Sequence, residues 1–241
     1  FDSAFLQYAD TGFMALGGVP FAWYIRAVLK RRYGSEQIGR YLQFLAAVIA
    51  LLTVWLVLTS DVPPETAFRH VAFSVVSVVT TTGYASVDYT TWGAFAVTVF
   101  FMITAVGGCT GSTSGGAKMM RWVVFFRIAR REIRQIRMPH AVDVARYDGR
   151  PIGPDVAAGV TTFFTLYFFT VFLLAIALNL IGLDFLTALS GSLTAVANVG
   201  PGVGGIGAGG PLDLHRLGGL HRQPGVGGDD GDAVAQVDQP V

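Results

Sequence analysis

FRHVAFSVVSVVTTTGYASVDY, running from Phe68 to Tyr89, decides how the chain is to be folded. Its first part, Phe68 to Val79, is apolar but only about a dozen residues long. A helix that crosses a bilayer needs about 20 residues. This one is too short to span and long enough to dip in and return. Pro63 and Pro64 stand just ahead of Glu65 and suit a helix start. The second part, Thr80 to Tyr89, has threonines and a glycine that continue a helix poorly and favour extended backbone. At membrane depth such backbone is tolerated only where it is buried in protein or lines a watery cavity. A half-helix followed by an extended Thr-Gly loop therefore reads as a pore loop. An external loop is the plainer alternative.

The flanks agree with a membrane setting. Upstream, Tyr41 to Leu58 reads YLQFLAAVIALLTVWLVL, 18 residues without a charge, and is expected to span. Phe5 to Leu29 is expected to be another span, with Gly12, Gly17, Gly18 and Pro20 tolerated as they are in membrane helices. Downstream, Trp92 to Val106 returns through the membrane and runs into GGCTGSTSGG, Gly107 to Gly116. Five glycines and four Ser/Thr in ten residues cannot make a stable helix. Met119 to Ile128 then resumes an apolar run, so one long helix is broken in its middle. Breaks of this kind often serve an ion site or a gate. Val156 to Leu180 is a further span, Asp184 to Val196 a short helix, and NVGPG from Asn198 to Gly202 a glycine-bearing loop. Span, short helix and loop thus recur, with Gly83 and Gly200 separated by 117 residues, as internal duplication of a membrane unit predicts.

Composition supports the same class. Of the 241 residues only 14% are charged and 18 are phenylalanine; a soluble domain carries about 25% charged residues. A net charge of +1 gives no ground for a nucleic-acid partner. Cys109 is the only cysteine, which rules out an intramolecular disulfide and a cysteine-based metal site. The positive residues cluster. Five lie between Arg26 and Arg40 and nine between Lys118 and Arg150, together 14 of the 17 Lys and Arg. Both clusters are expected to face the cytoplasm, and the topology closes if Phe68 to Tyr84 is re-entrant. The arginines sit at the ends of apolar spans without interleaved stacking aromatics, so no nucleic acid is expected on them. The chain opens at Phe1 without a methionine or the basic head of a signal peptide, and reads as a cut into a longer protein.

The pattern TTTGY, then GGCTGSTSGGAKMMR, then NVGPG resembles the bacterial Trk/Ktr potassium-uptake membrane subunits, closest to the Trk type. The match runs from about Phe13 to Gly205. The resemblance implies an all-α integral membrane protein of the cytoplasmic (inner) membrane, multi-pass, built like a potassium channel in one chain. Its four non-identical repeats of helix, re-entrant pore helix, filter loop and helix surround one pore. It implies residues 1–34 as the closing spanning helix of the second repeat and 35–150 as the third repeat. Within the third repeat it implies a spanning helix at 41–58, a pore helix at 65–79, a filter at 80–84 and a broken helix at 91–130. Residues 151–202 become a partial fourth repeat, with spanning helix 156–180, pore helix 184–196 and filter 198–202. Thr81, Thr82, Gly83 and Tyr84 match the third filter strand, and Asn198, Val199, Gly200 and Pro201 the fourth. Gly107, Gly108, Gly111, Ser112, Thr113, Gly115 and Gly116 match a flexible gate beneath the filter. Expected partners are the lipid bilayer, a second copy in a homodimer and a cytoplasmic nucleotide-binding regulatory subunit. Anionic lipid head groups are another partner for the same basic segment.

The chemistry fits the residues themselves. A bare K⁺ needs several oxygen ligands in place of its water shell, and backbone carbonyls turned to an axis supply them. Gly83 and Gly200 permit the φ values that aim such carbonyls. The potassium ion is then the transported substrate, with no bound organic cofactor and no enzymatic step. Na⁺-coupled or less selective cation transport is the competing function, and a truncated or frame-shifted remnant another. GCTGSTSGGAK is not a phosphate-binding loop, because Ala117 follows Gly116 where a lysine is needed. The tail from 203 to 241 departs from the pattern: it is Gly-rich, has no apolar run near 18 residues and reads as weakly structured. No calcium site is expected at Asp229, Asp230 and Asp232, and no metal at His215 and His221.

Overall fold

The structure, a computed structural model, describes residues 3–31, 34–138 and 144–203. The expected tail lies outside the described residues apart from Val203, and so do Arg32 and the tail's histidines and aspartates. Eight helices are described in chain order: α1 (Ala4–Gly17), α2 (Phe21–Lys30), α3 (Glu36–Thr59), α4 (Pro64–Val79), α5 (Ala94–Thr104), α6 (Met119–Arg137), α7 (Pro154–Leu180) and α8 (Phe185–Ala197). A 3₁₀ turn at Tyr89–Trp92 precedes α5, and a two-stranded antiparallel hairpin, β1 (Arg146–Tyr147) and β2 (Arg150–Pro151), precedes α7.

Two helices are long and apolar enough to cross a membrane. α3 has 24 residues and α7 has 27, about 36 and 40 Å at 1.5 Å per residue. Each buries one stripe. On α3 it is Tyr41, Leu45, Val48, Leu52 and Leu56; on α7 it is Val160, Phe164, Tyr167, Val171 and Ala175. Many of the other apolar side chains, among them Val54, Leu58, Phe169, Phe172 and Ile176, stay exposed. An apolar exterior is what a bilayer requires, and the buried stripes show which face meets protein.

α4 behaves differently. Every residue from Val71 to Val79 is buried, because the helix is packed among α1, α3 and α5. Pro64 occupies its first turn, where the missing N–H costs nothing. The core around it includes Tyr41, Phe73, Val75, Val79 and Phe100, with the Tyr89 ring stacked on Phe100 at 4.1 Å. α8 packs mainly on α7 and also touches α5. Its first turn is capped by Asp184, whose carboxylate accepts the Thr187 N–H at 3.1 Å. Thr187 holds this carboxyl below its usual range by that bond and by a side-chain hydrogen bond, the larger cause.

One expected element is corrected. The stretch Phe5 to Leu29 is not a single straight span: α1 and α2 meet at 88°. Pro20 has no N–H and starts the second helix. The Phe21 N–H, which would continue a helix by bonding four residues back, donates instead to Gly111 O at 3.0 Å. The break read from sequence between Val106 and Met119 is present, with α5 ending at Thr104 and α6 starting at Met119. The hairpin at residues 146–151 had no signal in the sequence reading.

Candidate ion pathway

Each short helix delivers its C-terminus to an irregular strand. After α4, the backbone takes positive φ at Thr81 (55°) and Gly83 (78°). After α8 it does so at Asn198 (58°) and Gly200 (108°). Thr82 and Val199 between them do not. Alternation of φ sign residue by residue turns successive carbonyls toward one side, which neither helix nor ordinary strand does.

The hydrogen bonds repeat with the same 117-residue interval that separates the two glycines. Thr82 N–H donates to Ser77 O at 2.9 Å, and Val199 N–H to Thr194 O at 3.0 Å. The Ser77 hydroxyl donates to Tyr84 O at 2.6 Å, and the Thr194 hydroxyl to Pro201 O at 3.0 Å. Thr194 also accepts the Gly200 N–H at 3.1 Å. So each short helix holds both ends of its strand and turns the strand's last carbonyl back onto itself. Among the described residues, no donor meets the carbonyls of Thr81, Thr82 and Gly83, or of Asn198, Val199 and Gly200. Tyr84 differs from the rest of its expected filter set, because its carbonyl is occupied by Ser77.

The two strands touch. A Cβ on Gly83 would lie 2.2 Å from Val199 O, well inside contact distance, so only glycine lets the two strands approach this closely. Both strands follow helix C-termini, where aligned peptide dipoles place about half a negative charge. No acidic side chain lies in either strand.

The glycine-rich loop lies against both strands. Gly115 N–H donates to the Thr81 hydroxyl at 2.6 Å, and Gly116 N–H to Ala197 O at 2.9 Å. A side chain at Gly115 would meet Ala197 O at 2.2 Å. Inside the loop, Ser114 accepts the Gly108 N–H at 3.0 Å and its hydroxyl lies 2.7 Å from that of Ser112. Lys118, with φ of 72° at the start of α6, donates its ammonium to Ser114 O. Gly107, Gly108, Cys109 and Ser114 are buried against protein, while Thr110, Gly111 and Thr113 stay exposed, a mixture that suits backbone at membrane depth beside a watery cavity.

The sequence reading missed the loop's other wall. The α1–α2 break pairs with it: Cys109 N–H donates to Gly18 O at 2.9 Å, Phe21 N–H to Gly111 O at 3.0 Å and the Thr113 hydroxyl to Gly17 O at 3.1 Å. The available signal was the Gly-Gly doublet itself, Gly17–Gly18 here and Gly107–Gly108 in the loop. The two breaks answer each other in space. All seven residues assigned to the gate lie in this loop. Of these, Gly111 and Thr113 face the first break and Gly115 and Gly116 face the strands.

Residues 1–209 match the family described as TrkH: Cation transport protein. The Trk system potassium uptake protein TrkI of Halomonas elongata is 48% identical over 214 residues, covering 84% of this chain and 43% of that protein. The TrkH protein of the same organism is 32% identical over 208 residues, covering 85% and 43%. TrkG of Escherichia coli K12 is 30% identical over 211 residues, again covering 85% and 43%. The crystal structure of the potassium transporter TrkH from Vibrio parahaemolyticus superposes with a TM-score of 0.81 at 24% identity. That superposition covers 86% of this chain and 46% of the other and shows the shared fold. The chain spans 43% of the length of each of the three relatives.

Proposed function

The chain belongs to the TrkH family of cation transport proteins, and from that premise we propose that it supplies two of the filter strands and the gate of a potassium-uptake pore. The full-length parent carries K⁺ across the cytoplasmic membrane. Residues 35–150 are its third repeat and 151–202 part of its fourth, with 1–34 closing the second. The observation that carries the reading is the pair of strands with alternating φ and unoccupied carbonyls, held by equivalent hydroxyls 117 residues apart.

The carbonyls of Thr81, Thr82, Gly83, Asn198, Val199 and Gly200 replace part of the ion's water shell. Tyr84 and Pro201 close their strands on the pore helices instead of ligating. The loop of Gly107, Gly108, Gly111, Ser112, Thr113, Gly115 and Gly116, joined to Thr81 and Ala197, obstructs the path below the filter until its bonds rearrange. A homodimer and a cytoplasmic nucleotide-binding regulatory subunit are the proposed partners, with the basic face of α6 on the side that such a subunit reaches. The test is Rb⁺ uptake by the full-length parent in vesicles with and without Na⁺. Uptake independent of Na⁺ is expected; strict dependence on Na⁺ replaces this reading with coupled transport.

A further inference from the structure

Residues of α3 and α6, with Met102 of α5 and Val106 just beyond it, line an open groove of about 570 Å³. Its two ends differ in chemistry. Along α6 one end is apolar, with Met119, Val123 and Phe126, joined by Phe44 of α3 and by Val106. The mouth carries three guanidiniums, Arg40, Arg127 and Arg130. Glu36 is the one carboxylate beside them: it takes Arg127 as a partner through both oxygens and stands 4.0 Å from Arg40 Nε. Arg130 has no acidic partner among the described residues. The mouth is therefore net cationic, and it sits where α3 begins, at the end of the span that carries the basic clusters. That level is the head-group region of the cytoplasmic leaflet, and the apolar end lies deeper among acyl chains.

We propose that this groove is a binding site for an anionic glycerophospholipid of the cytoplasmic leaflet, its phosphate on Arg40 and Arg130 and an acyl chain on Phe44, Val123 and Phe126. Guanidiniums suit phosphate oxygens because their paired N–H groups match them. The volume lies within the range of about 300–1,000 Å³ that encloses small ligands. Position gives the site a consequence. Val106 immediately precedes Gly107, and Met119 immediately follows Lys118, so the groove's floor is formed by both flanks of the glycine-rich loop. An acyl chain seated there fixes the separation of those flanks and so the loop between them. The effect on flux rests on the gate reading above; binding does not, and the experiment separates the two.

The full-length protein, delipidated in detergent, is titrated with phosphatidylglycerol and with phosphatidylcholine, and bound lipid is read by native mass spectrometry. Phosphatidylglycerol is expected to bind more tightly, and the double variant Arg40→Gln/Arg130→Gln to lose about fivefold in that preference per arginine removed, as expected for basic residues near an anionic surface. Arg137→Gln, exposed on α6 beyond the groove, keeps the preference. Val123→Trp fills the apolar end and reduces binding of both lipids. Rb⁺ uptake is then compared in phosphatidylcholine vesicles with and without phosphatidylglycerol; a lipid effect abolished by Val123→Trp is expected. Equal binding of the two lipids overturns the proposal. So does a preference that survives the double variant or is lost equally in Arg137→Gln, and so does a Phe126→Cys disulfide between two copies, which places a second chain in the groove. Selective binding without any change in uptake leaves the site standing and removes its link to the gate.

Discussion

At the scale of single residues, Gly83 and Ser77 do separable work. Gly83 combines a φ of 78° with a Cα that faces Val199 O. Gly83→Ala therefore meets both a backbone penalty of about 1–3 kcal/mol and a collision with the neighbouring strand. Uptake of Rb⁺ in competition with Na⁺ is expected to show discrimination falling by about tenfold, the equivalent of about 1.4 kcal/mol. Discrimination retained at the parental level removes Gly83 from the proposed filter. Ser77 and Thr194 hold the outer ends of their strands by one hydroxyl each, but only Thr194 also accepts a strand N–H. Ser77→Ala loses one bond and Thr194→Val two, at a net of about 1 kcal/mol each. The expected order in Tm and in Rb⁺/Na⁺ discrimination is parent, Ser77→Ala, Thr194→Val. Equal losses mean the two strands are held by something other than these hydroxyls.

At the scale of elements, the two helix breaks form one unit. Three hydrogen bonds join residues 17–21 to the loop at 109–113. Deleting Thr110–Ser114 removes most of the loop's contact with that wall and its internal serine bonds. K⁺ flux per folded full-length parent is expected to rise if the loop is the proposed obstruction; a fall in yield with unchanged flux identifies the loop as packing alone. Gly18 tests the opposite wall. A Cβ there would meet the Tyr41 hydroxyl at 2.3 Å, while that hydroxyl donates to Ala15 O at 3.1 Å. Gly18→Ala is expected to cost about 1–3 kcal/mol, the usual range for overpacking, read as a lower Tm. Tyr41→Phe in the same chain, which removes the colliding oxygen and keeps the buried ring, restores part of it. Absence of any rescue places the strain elsewhere.

At the scale of the molecule, Glu36 joins distant parts of the chain. Its carboxylate, at the start of α3, pairs with Arg127 of α6 and accepts the Asp148 N–H of the hairpin at 2.8 Å. Arg127 in turn donates to Arg146 O. One partly exposed carboxylate thus ties the start of α3, the helix α6 and the hairpin that leads into α7. Glu36→Gln is expected to weaken this tie by about 1 kcal/mol, in keeping with its partial exposure. Faster amide hydrogen exchange over residues 144–151, with α4 and α8 unchanged, is the measurement; equal exchange in parent and variant dissolves the clamp.

Much of this was legible without coordinates. A run of 18 uncharged residues at Tyr41–Leu58 fixes a span, because nothing else can satisfy its backbone and side chains in lipid. The shortness of Phe68–Val79, the glycine-rich interruption after Val106 and the echo of Gly83 in Gly200 pointed to the short buried helix, the loop and the second strand of like geometry, since length, breaker residues and spacing are local properties. What only the tertiary structure decided is where chain pieces meet. The 88° bend at Gly18–Pro20 was invisible in sequence, because glycine and proline are also common in straight membrane helices, and here the bend is sustained by Gly111 O, some ninety residues away. Tyr84 belongs to the TTTGY motif, yet its carbonyl turns away to Ser77, a choice set by hydrogen-bond geometry and not by residue type. Gly83 against Val199, and Glu36 against Arg127, are likewise contacts between segments that chain order leaves far apart.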